Sequence, residues 1–344
     1  MRNIWSFLFI LMILASCSNS AMDTSTEYEL KGKSQGGFSD VIVVAEDNLW
    51  EKGLKDDVSF VLADELKGLY RPESNFDITH VRPLAFSSLF QRQRIILVFE
   101  VSSSILNSGI GFAEDKYSRG QLYIKISAKN FDEASFLVIG AKDALRLKLA
   151  SHRNRGIIKK IVQVSNKENN LILKEFMGAE INISKYYSPV IKRKDFCYFG
   201  KKAKGQCQSG QNSECNYQLG LFVSKMDYDS RKVFDKGNFV SLRDSLTEKF
   251  IIGPEKSIPT YMEVEKSVPV HSKVVTIDGH YCVEYRGWWN MVNATMGGPY
   301  VSYLLVDEKN NKLYLIDGFV FAPNFSKRDF IKELESVMTS IKLL

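Results

Sequence analysis

Between residues 273 and 321 the chain reads as four strand-length apolar runs joined by turn signals, which commits this part of it to an antiparallel sheet. KVVTI and HYCVEYRGWW flank Asp278-Gly279, a pair in which both residues tolerate positive φ, as a type I′ hairpin requires. YVSYLLV and KLYLIDGFVFA flank a second turn, DEKNN. A helix from Ser326 to about Leu343 then closes the chain. Phe330, Leu334, Val337, Met338 and Ile341 form its apolar stripe, and Ser326 with Asp329 has capping-box spacing.

The first half has a different texture. Asp40 and Glu46 bracket VIVVA, a continuous apolar run that reads as a strand buried on both faces. Gly53 and Asp56-Asp57 open a helix carrying Val58, Val61, Leu62, Leu66 and Leu69, stopped by Arg71-Pro72. FDITHV, RIILVFEV and LYIKISA read as strands, and Gly109-Ile110-Gly111 as a loop. Asn130 and Glu133 form a capping box before a long helix to about Arg155. A shorter helix spans Leu171 to Met177, strands follow near 179–187, 196–199 and 217–225, and Leu242, Leu246 and Phe250 mark one more helix, stopped by Gly253-Pro254. The expected fold is α+β, with two units (38–158 and 159–344), each a largely antiparallel sheet with packed helices. An internal echo agrees with two such units. Ala-x-Asn-Phe, followed five residues on by a second Phe, occurs at Phe131/Phe136 and again at Phe325/Phe330.

The amino terminus, MRNIWSFLFILMILASCSNS, places the molecule. Apolar residues run from Ile4 to Ala15 with Arg2 ahead and no acid before Asp23. A membrane span needs about 20 apolar residues, so this shorter run reads as a secretory leader. Leu14-Ala15-Ser16-Cys17 resembles the lipobox of bacterial lipoproteins, in which the cysteine thiol receives lipid and the preceding peptide is removed. The expectation is a leader over 1–16, a lipid acceptor at Cys17, and a polar tether over 17–37 ending in Gly36-Gly37. About 20 residues of flexible coil reach roughly 25 Å, so the folded part is expected to sit just off a membrane, in the periplasm or at the cell surface.

Composition narrows the chemistry. A net charge of +6 is mild, and the basic runs Lys192-Arg193-Lys194 and Lys201-Lys202 lack the aromatic setting of a nucleic-acid motif, so no nucleic-acid partner is expected. Beyond Cys17 stand Cys197, Cys207, Cys215 and Cys282, an even number that allows three pairings. Cys207–Cys215 would close a short, Gly/Ser/Lys-rich loop. There is no C-x-x-C, and none of His80, His152, His271 and His280 has ligand spacing, so no metal is expected. G-x-S-x-G, a Walker loop and G-x-G-x-x-G are absent, and neither a cofactor nor a catalytic residue is assigned.

The unusual stretch is Glu284-Tyr285-Arg286-Gly287-Trp288-Trp289, followed by Met296-Gly297-Gly298-Pro299. Arg286 offers a planar fork for a carboxylate or phosphate, and Trp288 and Trp289 offer flat apolar walls, so these residues form a candidate ligand or partner surface. The plainer reading has the glycines bending a strand and the tryptophans covering a sheet. The leading expectation is a non-enzymatic binding or accessory protein of the cell envelope, taking a protein partner or small ligand. The alternative is an envelope hydrolase or transferase with a site assembled from Arg286, Glu284, Arg243 and Asp244.

EYRGWWNMVNATMGGPYVSY, LYLIDGFVFAP and KRDFIKELE, with DVIVVAEDNLW, PESNFD, QRQRIILV, Arg243-Asp244 and Tyr261-Met262, resemble the Bacteroidota lipoprotein family catalogued as domain of unknown function 4837. The resemblance spans essentially the mature chain and is most specific in its last third, and the loop from 197 to 215 looks like a local insertion. It implies a cell-envelope lipoprotein and carries over no catalytic residue.

Overall fold

The computed structural model describes residues 31–207, 214–253 and 257–344. The leader, Cys17 and the first part of the tether lie outside these residues.

The first sheet is built from β1 (Asp40–Val44), β2 (Asp77–Val81), β3 (Ile95–Val101), β4 (Gly109–Glu114) and β5 (Leu122–Ala128), in the order β2-β1-β3-β5-β4. The mixed α+β class stands, but this sheet is not antiparallel. β1, β2, β3 and β5 run parallel, and only β4 runs against β5. The reason is coverage. α1 (Lys55–Leu62), α2 (Phe131–Gly140) and the first half of α3 (Lys142–Gln163) pack on one face. Phe86, Phe90 and Tyr117 pack against Ile42, Val44 and Ile96 on the other. Strands buried on both sides carry unbroken apolar runs, as IILVF of β3 does, and this is the pattern of parallel sheets. β4 occupies the stretch read as a loop. As an exposed edge it has no buried face to mark it.

Asn130 caps α2 as its spacing implies, accepting the Glu133 N–H at 3.0 Å, while Glu133 accepts the Lys129 N–H at 2.7 Å. The long helix is broken at Ala141 into α2 and α3. α1 stops at Leu62, and Leu66 leaves it to join the core of the second sheet.

α4 (Lys167–Met177) and the short β6 (Ala179–Glu180) lead into the second sheet. Its strands are β7 (Ser188–Lys192), β8 (Phe196–Gln206), β9 (Glu214–Asp227), β10 (Met262–Val264), β11 (His271–Ile277), β12 (His280–Met291), β13 (Gly297–Asp307) and β14 (Lys312–Phe321). The order is β10-β12-β13-β14-β9-β8-β7, with β11 also on β12, and every pairing is antiparallel. Asp278 and Gly279 have φ of 50° and 82°, so the β11–β12 turn has the primed hairpin geometry. Cys207 and Cys215 are disulfide-bonded at the far end of the β8–β9 hairpin, with Cα atoms 5.4 Å apart. Cys197 and Cys282 are free and buried.

Both faces of this sheet are covered too. α5 (Lys236–Phe250) packs on one, over Tyr285, Trp289 and Tyr300. α4 and α6 (Arg328–Met338) pack on the other, and β15 (Lys342–Leu343) then pairs with β6. α3 joins the two units. Its Leu145 and Leu149 belong to the first core, and its Ile157 and Ile161 to the second.

α6 also receives a tertiary cap. The Glu73 carboxylate, from the first unit, accepts the N–H groups of Lys327 and Arg328 at 2.8 Å each. Asp329 accepts hydrogen bonds from Arg328 and from Ser39 of the first unit. A carboxylate at a helix start satisfies free N–H groups and meets the positive end of the helix dipole. Glu73→Ala is expected to cost about 1–2 kcal/mol in urea unfolding, with Glu73→Gln recovering part of it; no loss in either variant would contradict this role.

Candidate functional site

Along β12 the side chains alternate between faces, so Glu284, Arg286 and Trp288 point to the α6 side and Tyr285 and Trp289 to the α5 side. The two tryptophans therefore do not form one wall. Trp289 is buried in the α5-side core, where its indole N–H donates to the Val320 carbonyl at 3.3 Å. Trp288 is half-buried, with Tyr70 at 5.9 Å between ring centroids. Gly297, Gly298 and Pro299 open the regular strand β13, paired with Asn290, Trp289 and Trp288, and do not make a corner. A Cβ on Gly298 would lie 1.8 Å from the Val320 carbonyl oxygen, so glycine is required by the closeness of β14. Met296 packs against the α5-side core.

Arg243 and Asp244 are also separated from Arg286 by the sheet. Arg243 is wholly buried on the α5 side, with Nε 2.8 Å from Asp317, its guanidinium over Tyr300, and Ser302 donating to the same carboxylate. Both side chains of this ion pair are fully buried. It is a packing device of the core.

Arg286 lines a cleft. Nε and Nη2 donate to the two Glu284 oxygens at 2.7 and 3.0 Å, and Nη1 donates to Glu335 of α6. Tyr303 donates to Glu284 at 2.9 Å, and Lys332 to Glu335 at 3.0 Å. The first unit closes the far side with Asn75, Phe76, Arg146 and Arg153, around a volume of about 420 Å³. The loop bearing Gly68 folds over the top. Its φ is 84°, and a Cβ there would sit 2.8 Å from Arg286 Cβ.

Arg153, at the middle of α3, is the unusual group. It is 3% exposed, with Nη1 donating to the Asn75 carbonyl at 3.0 Å and the guanidinium 4.6 Å from the Phe76 ring centroid. Its Nε has no hydrogen-bond partner among the described residues, and no carboxylate there pairs with it. The buried lining thus holds three cations, Arg153, Arg286 and Lys332, against two acids, Glu284 and Glu335.

The electrostatics follow. Burial lowers Arg153 to about 10, only partly offset by Glu335. Burial likewise pulls Lys332 down to about 8, with Arg286 and Arg153 adding to the pull and Glu335 opposing it. Burial would raise Glu335, but Arg286 and Lys332 outweigh it and hold the carboxyl at about 2. Glu335 is therefore ionised across the neutral range and supplies neither proton nor base there. Arg153, Lys332, Glu335 and Tyr303 were not legible as site residues. Lys332 and Glu335 look like the polar face of an amphipathic helix, and nothing local marks that face as covered.

The fold and cleft define a mixed α+β protein of two main sheets with a polar, cation-rich junction. Residues 165–340 match the family model described as a domain of unknown function, DUF4837, and the chain belongs to this family. Residues 34–161 match a second domain of unknown function, DUF8532. No curated protein matches the chain. Among solved structures it is similar to a point mutant of protein Mog1, at 9% identity and a TM-score of 0.31 over 48% of this chain and 90% of that one. The Ran-binding protein Mog1p of Saccharomyces cerevisiae gives 8% and 0.30 over the same shares. A Bacteroides thetaiotaomicron protein gives 11% and 0.23 over 48% of this chain and 45% of that one. Scores this low do not establish a shared fold.

Because Glu335 has a lowered carboxyl, its stabilisation is complete above the unfolded value of 4.5 and is lost as pH falls toward 2. That window is expected to remove about 3 kcal/mol. Glu335→Gln should cost about 3–5 kcal/mol at neutral pH, by stranding Arg286 and Lys332, and should flatten the acid limb of the stability profile. An unchanged acid limb in urea unfolding would contradict this.

Proposed function

We propose that this protein is a lipid-anchored binding module of the bacterial cell envelope, of Bacteroidota type, held to a membrane through acyl chains on Cys17. The cleft between its units receives a carboxylate or phosphate carried by a small ligand or by an envelope protein. The observation that carries the ligand chemistry is Arg153, a buried cation at a cleft wall with no carboxylate partner among the described residues. An anion beside it would meet hydrogen-bond donors already desolvated and aimed, where charged pairs are strong. The lipobox-like Leu14-Ala15-Ser16-Cys17 supports the anchor. No helix among the described residues is long and apolar enough to cross a membrane. The non-enzymatic reading is supported by Glu335 being locked in ion pairs and by the sheet standing between Arg243 and Arg286.

Two measurements test this. Mass spectrometry of the mature protein should find a chain beginning at a diacylated Cys17, and an unmodified thiol or an intact Met1 would end the anchored reading. Citrate and inorganic phosphate, as probes, should each raise the melting temperature by a few degrees in wild type and not in Arg153→Met. The stabilisation should weaken as pH rises through about 8, where Lys332 loses its proton. Equal shifts in wild type and Arg153→Met would remove the cleft as the site.

A further inference from the structure

A second cavity, of about 670 Å³, opens where the described chain begins, on the far half of α3 from the first core. Its floor is a helical stripe: His152, Arg155, Gly156, Lys159, Lys160 and Gln163 recur at the spacing of one helix face. Its walls are Lys33 and Ser34 of the entering segment, Arg94 ahead of β3, and the turn at Arg119 and Gly120 ahead of β5. Lys33 is held there by a parallel bridge to Arg119. Ser34 donates to the Gly120 carbonyl at 3.0 Å and receives Arg94 Nη1 at 3.2 Å. The basin is therefore a constructed feature in which three separate segments are tied together by hydrogen bonds.

Its charge is one-sided. Lys33, Arg94, Arg119, Arg155, Lys159 and Lys160 line it, against Glu114 and Asp115 alone. The excess of four positive charges compares with +6 for the whole chain, so the protein's modest basicity is gathered at one place. Glu114 is engaged by Arg155 at 2.8 Å and by Lys148 at 3.7 Å, and an Asp115 oxygen accepts the Gly120 and Gln121 N–H groups. The acids are thus committed, while Lys33 and Lys159 have no carboxylate partner among the described residues. Arg94 packs on Phe38, 4.3 Å from the ring centroid, leaving its charge toward the basin rim. Like charges gathered this way repel one another, and phosphate groups relieve that repulsion.

We infer that this basin binds the phosphates of anionic lipid head groups and so fixes which end of the folded protein faces the membrane. The inference rests on the anchored reading for its geometry. Lys33 lies sixteen positions after Cys17, a stretch that fully extended spans at most about 55 Å. The basin is the part of the described fold on which the anchored segment arrives. Lys/Arg clusters close to a membrane gain from an anionic surface over about a Debye length.

The lipidated full-length protein is reconstituted into vesicles of phosphatidylcholine alone, or with phosphatidylglycerol added, and its lysines are footprinted by amine acylation and mass spectrometry. Lys33, Lys159 and Lys160 are expected to be about threefold or more less reactive on the anionic vesicles, with Lys192 and Lys194 unchanged. About 1 M salt, where the Debye length is ~3 Å, should erase the difference. Lys159→Glu/Lys160→Glu should lose protection at Lys33 while keeping the wild-type unfolding curve. Equal reactivity on both vesicle types overturns the inference. Equal protection by inorganic phosphate on neutral vesicles overturns the lipid source and makes the basin a soluble-phosphate site. Retention on neutral vesicles reports the Cys17 anchor separately, so failure of the anchor and failure of the basin are distinguishable.

Discussion

The buried ion set around Arg286 is the constraint on which the junction depends. Arg286 sits on a central strand, Glu335 and Lys332 on a helix laid against it, and Glu284 and Tyr303 on β12 and the neighbouring β13. Removing these charges from water costs several kcal/mol each, and their mutual attraction offsets this only when hydrogen bonds are complete. Here the Arg286 fork meets two carboxylates, and both carboxylates are shared with further donors. The position of α6 is therefore fixed by direction as well as by apolar contact. An apolar stripe alone would let the helix slide or roll, whereas Arg286, held bidentately by Glu284 on its own strand, presents a fixed Nη1 to Glu335 of α6.

From α6 the order spreads into the first unit. The helix is capped by Glu73, braced by Ser39 on Asp329, and paired through Arg328 with Asp77 at 2.8 Å. Each of these links is polar and lies near the helix start, while α3 supplies the apolar links by entering both cores. The junction is thus polar and charged on one side and apolar on the other. Such a boundary leaves a cleft where it is charged, because side chains that must keep their hydrogen bonds cannot close-pack like those of a core.

Much of the architecture was legible in local pattern. The Asp278-Gly279 hairpin, the Asn130 cap and the strands β1, β3, β5, β12, β13 and β14 are properties of short stretches, and short stretches show them. What was hidden is non-local. The direction of β2, β1, β3 and β5 depends on what covers their second face. The tertiary cap of α6 comes from a residue more than 250 positions away. Arg286 was visible as a fork beside Glu284, but its second carboxylate, Glu335, lies on α6 and its cleft is completed by α3. Trp288-Trp289 misled for a simple reason: adjacent residues on a strand face opposite ways, so two neighbouring rings cannot line one groove. Gly297-Gly298-Pro299 looked like a bend because glycine and proline often make bends. Here glycine serves the approach of another strand.

The two cation-rich sites differ in what their charge is for. In the cleft, acids nearly balance bases, burial has already desolvated them, and the surplus is a single guanidinium that belongs to α3 but faces α6 and β12. An anion there would touch both units at once and so couple occupancy to their relative position. In the basin, bases outnumber acids and the lysines are solvated. Attraction there is long-ranged and weak per group, which suits an extended surface better than one small molecule. α3 runs through both sites, presenting Arg153 to one and Arg155, Lys159 and Lys160 to the other. One helix thus contributes side chains to both the proposed anion cleft and the proposed membrane-facing basin.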